Sequence, residues 1–399
     1  MIYLDHAAAT PVSKKVLGKM ELYFDEEFFN PSAAYLPAKK VLADYEEAKD
    51  MIAHAVGAKG VDLVITSGAT EANNLAFSAV SNDGEVLYLA TEHDSVRKIA
   101  EKFNGRAIKV LPSGLIDLED LKKKINDKTE LISVGMVNNE LGTIQPMSEI
   151  SGIIREEKLR RLKNGSKRQL LLHSDASQAL NLLSVNVARM GIDLLSLNAG
   201  KVYGPKGVGA LYVSHDVCLQ PITYGGGQEN GLRSGTENVA GVIGFAAAVT
   251  EAKEHQNGNR KKYVEWKRVF LNELKDYELI NKKCALDSFV NVSFPGLDAE
   301  RLIYLLEERG VFVSTGAACA ASKGEKSHVL RALGLSNEVI NGSLRITFGE
   351  TNDLEQLRMA AKIINEVVAK ERERCKGAIY GNGRLYGNDK KSNANDGGR

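Results

Sequence analysis

Cysteine is scarce in this chain of 399 residues: Cys218, Cys284, Cys319 and Cys375 are the only four, widely separated and without a CxxC pair. Such spacing supports neither a disulfide scaffold nor a zinc knot. Net charge is equally sparse. Lys and Arg number 52 against 51 Asp and Glu, a balance of +1 that argues against bulk attraction to nucleic acid or an anionic membrane. No segment approaches the length of a membrane-spanning apolar run, and Asp5 and His6 interrupt the N-terminal MIYLDHAAATP, so neither a span nor a signal peptide is expected. A cytoplasmic protein is the expectation. What remains is an ordinary globular composition, 43% hydrophobic and 26% charged, long enough for two domains.

Periodicity supplies the architecture. Residues 14–26 and 38–56 have helical spacing; in the second, Val41, Leu42, Tyr45, Ala48 and Ile52 are predicted to share one face. From Val61 to Ser214, apolar strand patterns alternate with helical ones, which predicts a mostly parallel sheet covered on both faces. A long helix is expected over 239–254. The polar, Gly- and Asn-bearing stretch 255–262 then reads as a boundary to a smaller α/β unit that opens with the helix WKRVFLNELK. The predicted division is a large domain over 14–255, a small one from 1–13 and 256–375, and a Gly- and Asn-rich tail, 376–399, expected to be disordered. The basic region Glu156–Arg168 reads first as a solvated helix end and loop and only second as a contact for an acidic partner or RNA.

Sheets of this kind place working residues just beyond strand C-termini, and the informative positions fall there. Lys201, in a Gly-rich turn between two apolar strands, is placed to form a Schiff base with an aldehyde cofactor, although turn lysines are usually solvated. Asp175 ends the strand LLLHS; it suits a pyridinium nitrogen, or a plain helix cap. Thr66–Glu71, with Ala69 and Thr70 opening a helix, suits a phosphate or a simple capping turn. His93 follows another strand, where an imidazole can stack on a ring and move protons. Asn139 is a donor for a phenolate-like oxygen. Cys319 sits in the small-residue loop STGAACAASKGEKSH, unlike Cys284, which reads as a core cysteine. Arg345, a strand arginine in apolar surroundings, needs an anion: a substrate carboxylate or a structural ion pair. Singly, none of these residues is decisive; together they describe one cofactor site.

The stretches YLDHAAATP, TSGATEANNLA, TEHDSV, VNNELGTIQP, HSDASQ, GKVYGPKGVGALYV, GLRSGTENVAG, STGAACAAS and SHVLRALG, in this order over about residues 2–370, resemble the NifS/IscS-like cysteine desulfurases of the class-V aminotransferase family. The resemblance implies a fold-type I α/β transferase that uses pyridoxal 5′-phosphate (PLP), with a mostly parallel seven-stranded sheet flanked by helices and a small α/β domain. It implies that Lys201 holds the cofactor's aldehyde, Asp175 its ring nitrogen and Gln178 its phenolic oxygen. His93 would stack on the ring, Asn139 would lie beside the substrate, and Ala69, Thr70 and Asn198 would meet the phosphate. Thr236 would reach the phosphate from the other subunit of a homodimer, and Arg345 would take the carboxylate of L-cysteine. Cys319 would accept the sulfur as a persulfide, leaving L-alanine, and pass it to an iron–sulfur scaffold or sulfur-carrier protein for cluster assembly or tRNA thiolation. Neither a membrane nor direct nucleic-acid binding is implied.

The chain departs from the family in three places. Where the family reads Ser-x-His-Lys, this chain has Asn198-Ala199-Gly200-Lys201. Asn30-Pro31-Ser32-Ala33-Ala34-Tyr35 replaces Asn-Pro-Ser-Ser-x-His, and Phe348-Gly349-Glu350 replaces Leu-Gly-Arg. A selenocysteine lyase or related PLP lyase, and a PLP-poor scaffold without activity, are therefore the rival readings.

Overall fold

The computed structural model describes residues 1–316 and 326–382. Its strands are β1 (Ile2–Tyr3), β2 (Leu63–Thr66), β3 (Glu85–Leu89), β4 (Arg106–Ile108), β5 (Thr129–Ser133), β6 (Leu171–Asp175), β7 (Leu194–Asn198), β8 (Gly209–Val213), β9 (Glu278–Leu279), β10 (Phe289–Ser293), β11 (Val311–Phe312) and β12 (Ser343–Thr347). Seven of them form one sheet in the order β2-β8-β7-β6-β5-β3-β4. The four pairings from β7 through β4 are parallel, and β8 runs antiparallel to both β7 and β2. This is the expected α/β architecture. β5 is buried at all five positions, as a central strand with helices on both faces must be. Two smaller sheets, β12-β10-β9 and β1-β11, complete the strands.

Several helices begin where a side chain satisfies their free N–H groups. Asp117 accepts from Glu119 and Asp120 N, Asp298 from Glu300 and Arg301 N, and Ser13 from Val16 N. In the helix Leu36–Ala55, Val41, Tyr45, Ala48 and Ile52 are buried as predicted. Leu42 is not; at 39% exposure it lies off the stripe, because the 41-45-48-52 row alone follows the helical repeat.

The predicted break at 255–262 is overturned. One helix runs from Val239 to Glu273, so 239–254 and WKRVFLNELK belong to a single element that crosses residue 255. A lone interior glycine costs only about 1 kcal/mol against alanine. Here the polar stretch has tertiary partners that outweigh it: Asn259 Nδ2 donates to Glu350 Oε1 at 2.7 Å, and His255 Nδ1 lies 3.3 Å from Glu350 Oε2. Farther along, Phe270 is fully buried and packs edge-on to Phe348 at 5.6 Å. Phe270→Ala should therefore lower unfolding stability by about 3–5 kcal/mol, read as a reduced urea midpoint; an unchanged midpoint would mean that this end of the helix does not contribute to the core.

Two further expectations change. Cys284 is exposed and has a positive φ of 56°, so it occupies a turn rather than the core. The final helix runs from Leu354 to Asn382, so residues 376–382, expected to be disordered, are helical; 383–399 lie outside the described residues. The basic region answers its own charge. Arg160 and Arg161 pair with Glu157, Lys158 with Asp193, and Arg168 with Asp83 and Glu130. Among the described residues, no helix is long and apolar enough to cross a membrane.

Candidate active site

A cavity of about 350 Å³ opens at the C-terminal ends of the parallel strands. Asp175 ends β6, and Asn198 ends β7 with Lys201 in the 3₁₀ turn just after it. His93 comes four residues after β3 and caps the helix Asp94–Ala100, its Nδ1 accepting from Ser95 N at 3.1 Å. Ala69 and Thr70 begin the helix Ala69–Phe77, which follows β2 and the turn residue Gly68. All six line the cavity, as do Gln178, Asn139 and Arg345. Thr236 does not. It is exposed in the segment before Val239 and is not among the residues that line the cavity of its own chain. Cys319 lies outside the described residues.

The N-terminal segment forms one wall. Thr10 Oγ1 donates to Gly200 O and accepts from Tyr203 N, which fixes residues 7–10 against the lysine turn. Lys201 Nζ donates to Ala7 O at 2.9 Å and to Ala8 O at 2.6 Å, and Gln178 Nε2 donates to Ala7 O at 2.9 Å. The lysine head is thereby aimed at the cavity.

Asp175 is held from two sides. Oδ1 accepts from Ser177 N at 2.9 Å, the local turn expected of a cap, while Oδ2 accepts from Asn73 Nδ2 at 2.9 Å. Asn73 also donates to Ser95 Oγ, two residues beyond His93. Asn73 was not singled out in the sequence. Its signal was its place one helical turn after Thr70, on the same face.

Arg345 is only 3% exposed. Its Nη2 pairs with Asp5 Oδ1 at 2.6 Å, and its Nη1 donates to Asn139 O at 2.9 Å and Gly316 O at 3.3 Å. The structural ion pair and the cavity-facing position thus coexist. Asp5 is the partner that the sequence did not disclose.

Two buried carboxyls also line the cavity. Burial, reinforced by the nearby charge of Asp175, pushes Glu92 up to about 8, although Gly135 N hydrogen-bonds to it. Burial raises Glu140 to about 7 against the opposing pull of Ser327's hydroxyl and Arg345. His328 Nε2 lies 2.8 Å from Glu92 O, and desolvation lowers its pKa.

Three buried side-chain atoms on cavity-lining residues have no hydrogen-bond partner among the described residues: Ser177 Oγ, Thr91 Oγ1 and Arg345 Nε. A cavity with unsatisfied donors, an amine and an oriented carboxylate fits a polar aromatic aldehyde with an anionic arm. Gly200 is buried but would accept a Cβ at ordinary contact distance. A Cβ there would meet nothing closer than Asn198 Oδ1 and Lys206 Cγ, both at 3.5 Å. Asn198 Oδ1 accepts from Gly200 N at 3.0 Å, so this side-chain oxygen is turned to its own backbone.

Comparison with known proteins agrees with this geometry. Residues 2–359 match the model of the family described as aminotransferase class-V. A cysteine desulfurase IscS of Dictyoglomus turgidum is 37% identical over 387 residues, covering 93% of this chain and 95% of that protein. A solved NifS-like protein superposes with a TM-score of 0.85 at 29% identity, covering 92% of this chain and 99% of that one. SspA in complex with cysteine gives 0.76 at 34% identity, covering 87% and 99%. A match of this length, over the strands and turns that build the cavity, leaves one conclusion: the chain belongs to the class-V aminotransferase family, among its NifS/IscS-like cysteine desulfurases.

Proposed function

We propose that the cavity binds PLP and that the enzyme, as a cytoplasmic homodimer, converts L-cysteine to L-alanine while Cys319 takes the sulfur as a persulfide. The observation that carries this reading is the convergence of Lys201 and Asp175, from different strand ends, on one cavity in a chain of this family. When bound, PLP supplies an aldehyde for amines and a conjugated ring that accepts an electron pair from the substrate carbon.

The chain's own residues do the rest. Lys201 presents a primary amine to the cavity and is the group that takes up and returns protons beside the substrate. Asn73 and Ser177 N hold the Asp175 carboxylate in one orientation, in which it would pair with a protonated ring nitrogen. His93, held at Nδ1 by Ser95 N, would cover the ring and move a proton at Nε2. Arg345 offers Nε to the substrate carboxylate while Asp5 steadies its far end. At Cys319 the thiolate forms the S–S bond as the substrate's Cβ–S bond breaks; the pair left on carbon takes a proton and alanine leaves. Thr236 is assigned to the partner subunit's phosphate site, which suits its exposure and its absence from the lining of its own chain's cavity. An iron–sulfur scaffold or a sulfur carrier for tRNA thiolation then receives the persulfide sulfur.

The test is alanine released from L-cysteine under reducing conditions across a PLP titration. Alanine formation that saturates with PLP supports the reading; none at saturating PLP rejects it. The same titration examines Gly200. Gly200→His should tighten PLP binding by roughly one to two decades, the equivalent of one hydrogen bond to a charged group. An unchanged or weaker Kd would show that the room at Gly200 does not face the phosphate.

A further inference from the structure

Glu140 has no part in the chemistry above, yet it is 3% exposed at the cavity edge. Its Oε2 accepts the Ser327 hydroxyl at 2.6 Å. Ser327 Oγ in turn accepts from Leu330 N at 3.1 Å, capping the helix His328–Ala332, so its single proton is committed to Glu140. Gly316 is a near neighbour of the same carboxylate. A Cβ at Gly316 would fall 3.1 Å from Glu140 Oε2 and 3.3 Å from its Cγ. Gly316 has a φ of +86°, its N donates to Ser314 Oγ and its carbonyl accepts from Arg345 Nη1. One carboxylate therefore bonds the residue that follows the sequence interval containing Cys319 and lies near the residue that precedes it. A buried carboxyl is costly to keep, and one placed where two chain segments meet is best explained by the join it makes.

We infer that Glu140 is a positioning residue for sulfur transfer: its carboxylate fixes Ser327 at the cavity, as Arg345 Nη1 fixes the Gly316 carbonyl, so that the two described residues flanking the Cys319-bearing interval are both held beside Arg345. The inference rests on Cys319 as the sulfur acceptor. Glu140 acts through these anchors and not on the reacting atoms.

The test compares Glu140→Ala, Glu140→Gln and Ser327→Ala in the full-length, PLP-loaded enzyme. Amide hydrogen exchange over residues 327–332 reads the tie itself; kcat, KM and PLP Kd read its consequence. Glu140→Ala and Ser327→Ala should each speed exchange and lower kcat by roughly tenfold or more, with KM and PLP Kd within about threefold of the wild type. The double variant should be little worse than either single one, as expected for two ends of one contact. Glu140→Gln keeps an acceptor for the Ser327 hydroxyl and should stay within about threefold of the wild type. Unchanged exchange and kcat in Glu140→Ala would overturn the inference. So would an equal loss in Glu140→Gln, or a PLP Kd that weakens in step with kcat, which would make Glu140 part of the cofactor pocket. If exchange responds but the wild type forms no alanine, the desulfurase reading fails, and the role in sulfur transfer fails with it.

Discussion

Lys201→Ala should lower alanine formation by about 10³-fold or more, the scale at which loss of a central amine leaves only binding and residual electrostatics. Lys201→Arg separates chemistry from architecture. Arginine keeps a cation and several donors for the carbonyls of Ala7 and Ala8, which Lys201 Nζ contacts at 2.9 and 2.6 Å. Its guanidinium stays protonated and has no free pair with which to attack an aldehyde. Lys201→Arg should thus fold and remain as inactive as Lys201→Ala. Partial rescue by arginine, measured as alanine released at saturating PLP, would mean that Lys201 serves mainly to hold the N-terminal wall.

The second large effect is expected at Cys319. Cys319→Ala should cut alanine turnover by about 10²-fold or more, because no other cysteine lines the cavity among the described residues. The three remaining cysteines offer no substitute: Cys218 and Cys284 are exposed, Cys375 is partly buried in the final helix, and none lines the cavity. A lyase that expels sulfur or selenium without a protein thiol predicts the opposite, with alanine formation surviving the substitution. The comparison of L-cysteine with L-selenocysteine in this variant therefore separates the two chemistries.

The strand–helix alternation was legible because a parallel sheet buries both faces of its central strands, which leaves largely apolar runs such as Leu131–Val137 and Leu194–Leu197. Lys201, Asp175 and His93 were legible for a related reason, since polar residues directly after such runs fall at the strand ends where clefts form. Contacts between distant parts of the chain were not. Asn73 is 102 positions from Asp175, and Asp5 is 340 from Arg345; nothing in local pattern links either pair. Glu92 and Glu140 stood inside recognisable motifs, but a carboxylate is ordinarily exposed, and only the fold reveals that these two are buried. The helix across 255–262 was missed for the converse reason: local polarity and Gly258 suggested a break, while Asn259, Tyr263 and Phe270 supplied burial that propensity does not register.

The most direct test of the account follows the sulfur. The PLP-loaded enzyme is given a single equivalent of L-cysteine without reductant, quenched by alkylation and digested, and the peptide bearing Cys319 is weighed while alanine is counted. The account predicts one additional sulfur on Cys319 in proportion to the alanine formed. Alanine accompanied by free sulfide, with Cys319 carrying no additional sulfur, would contradict it.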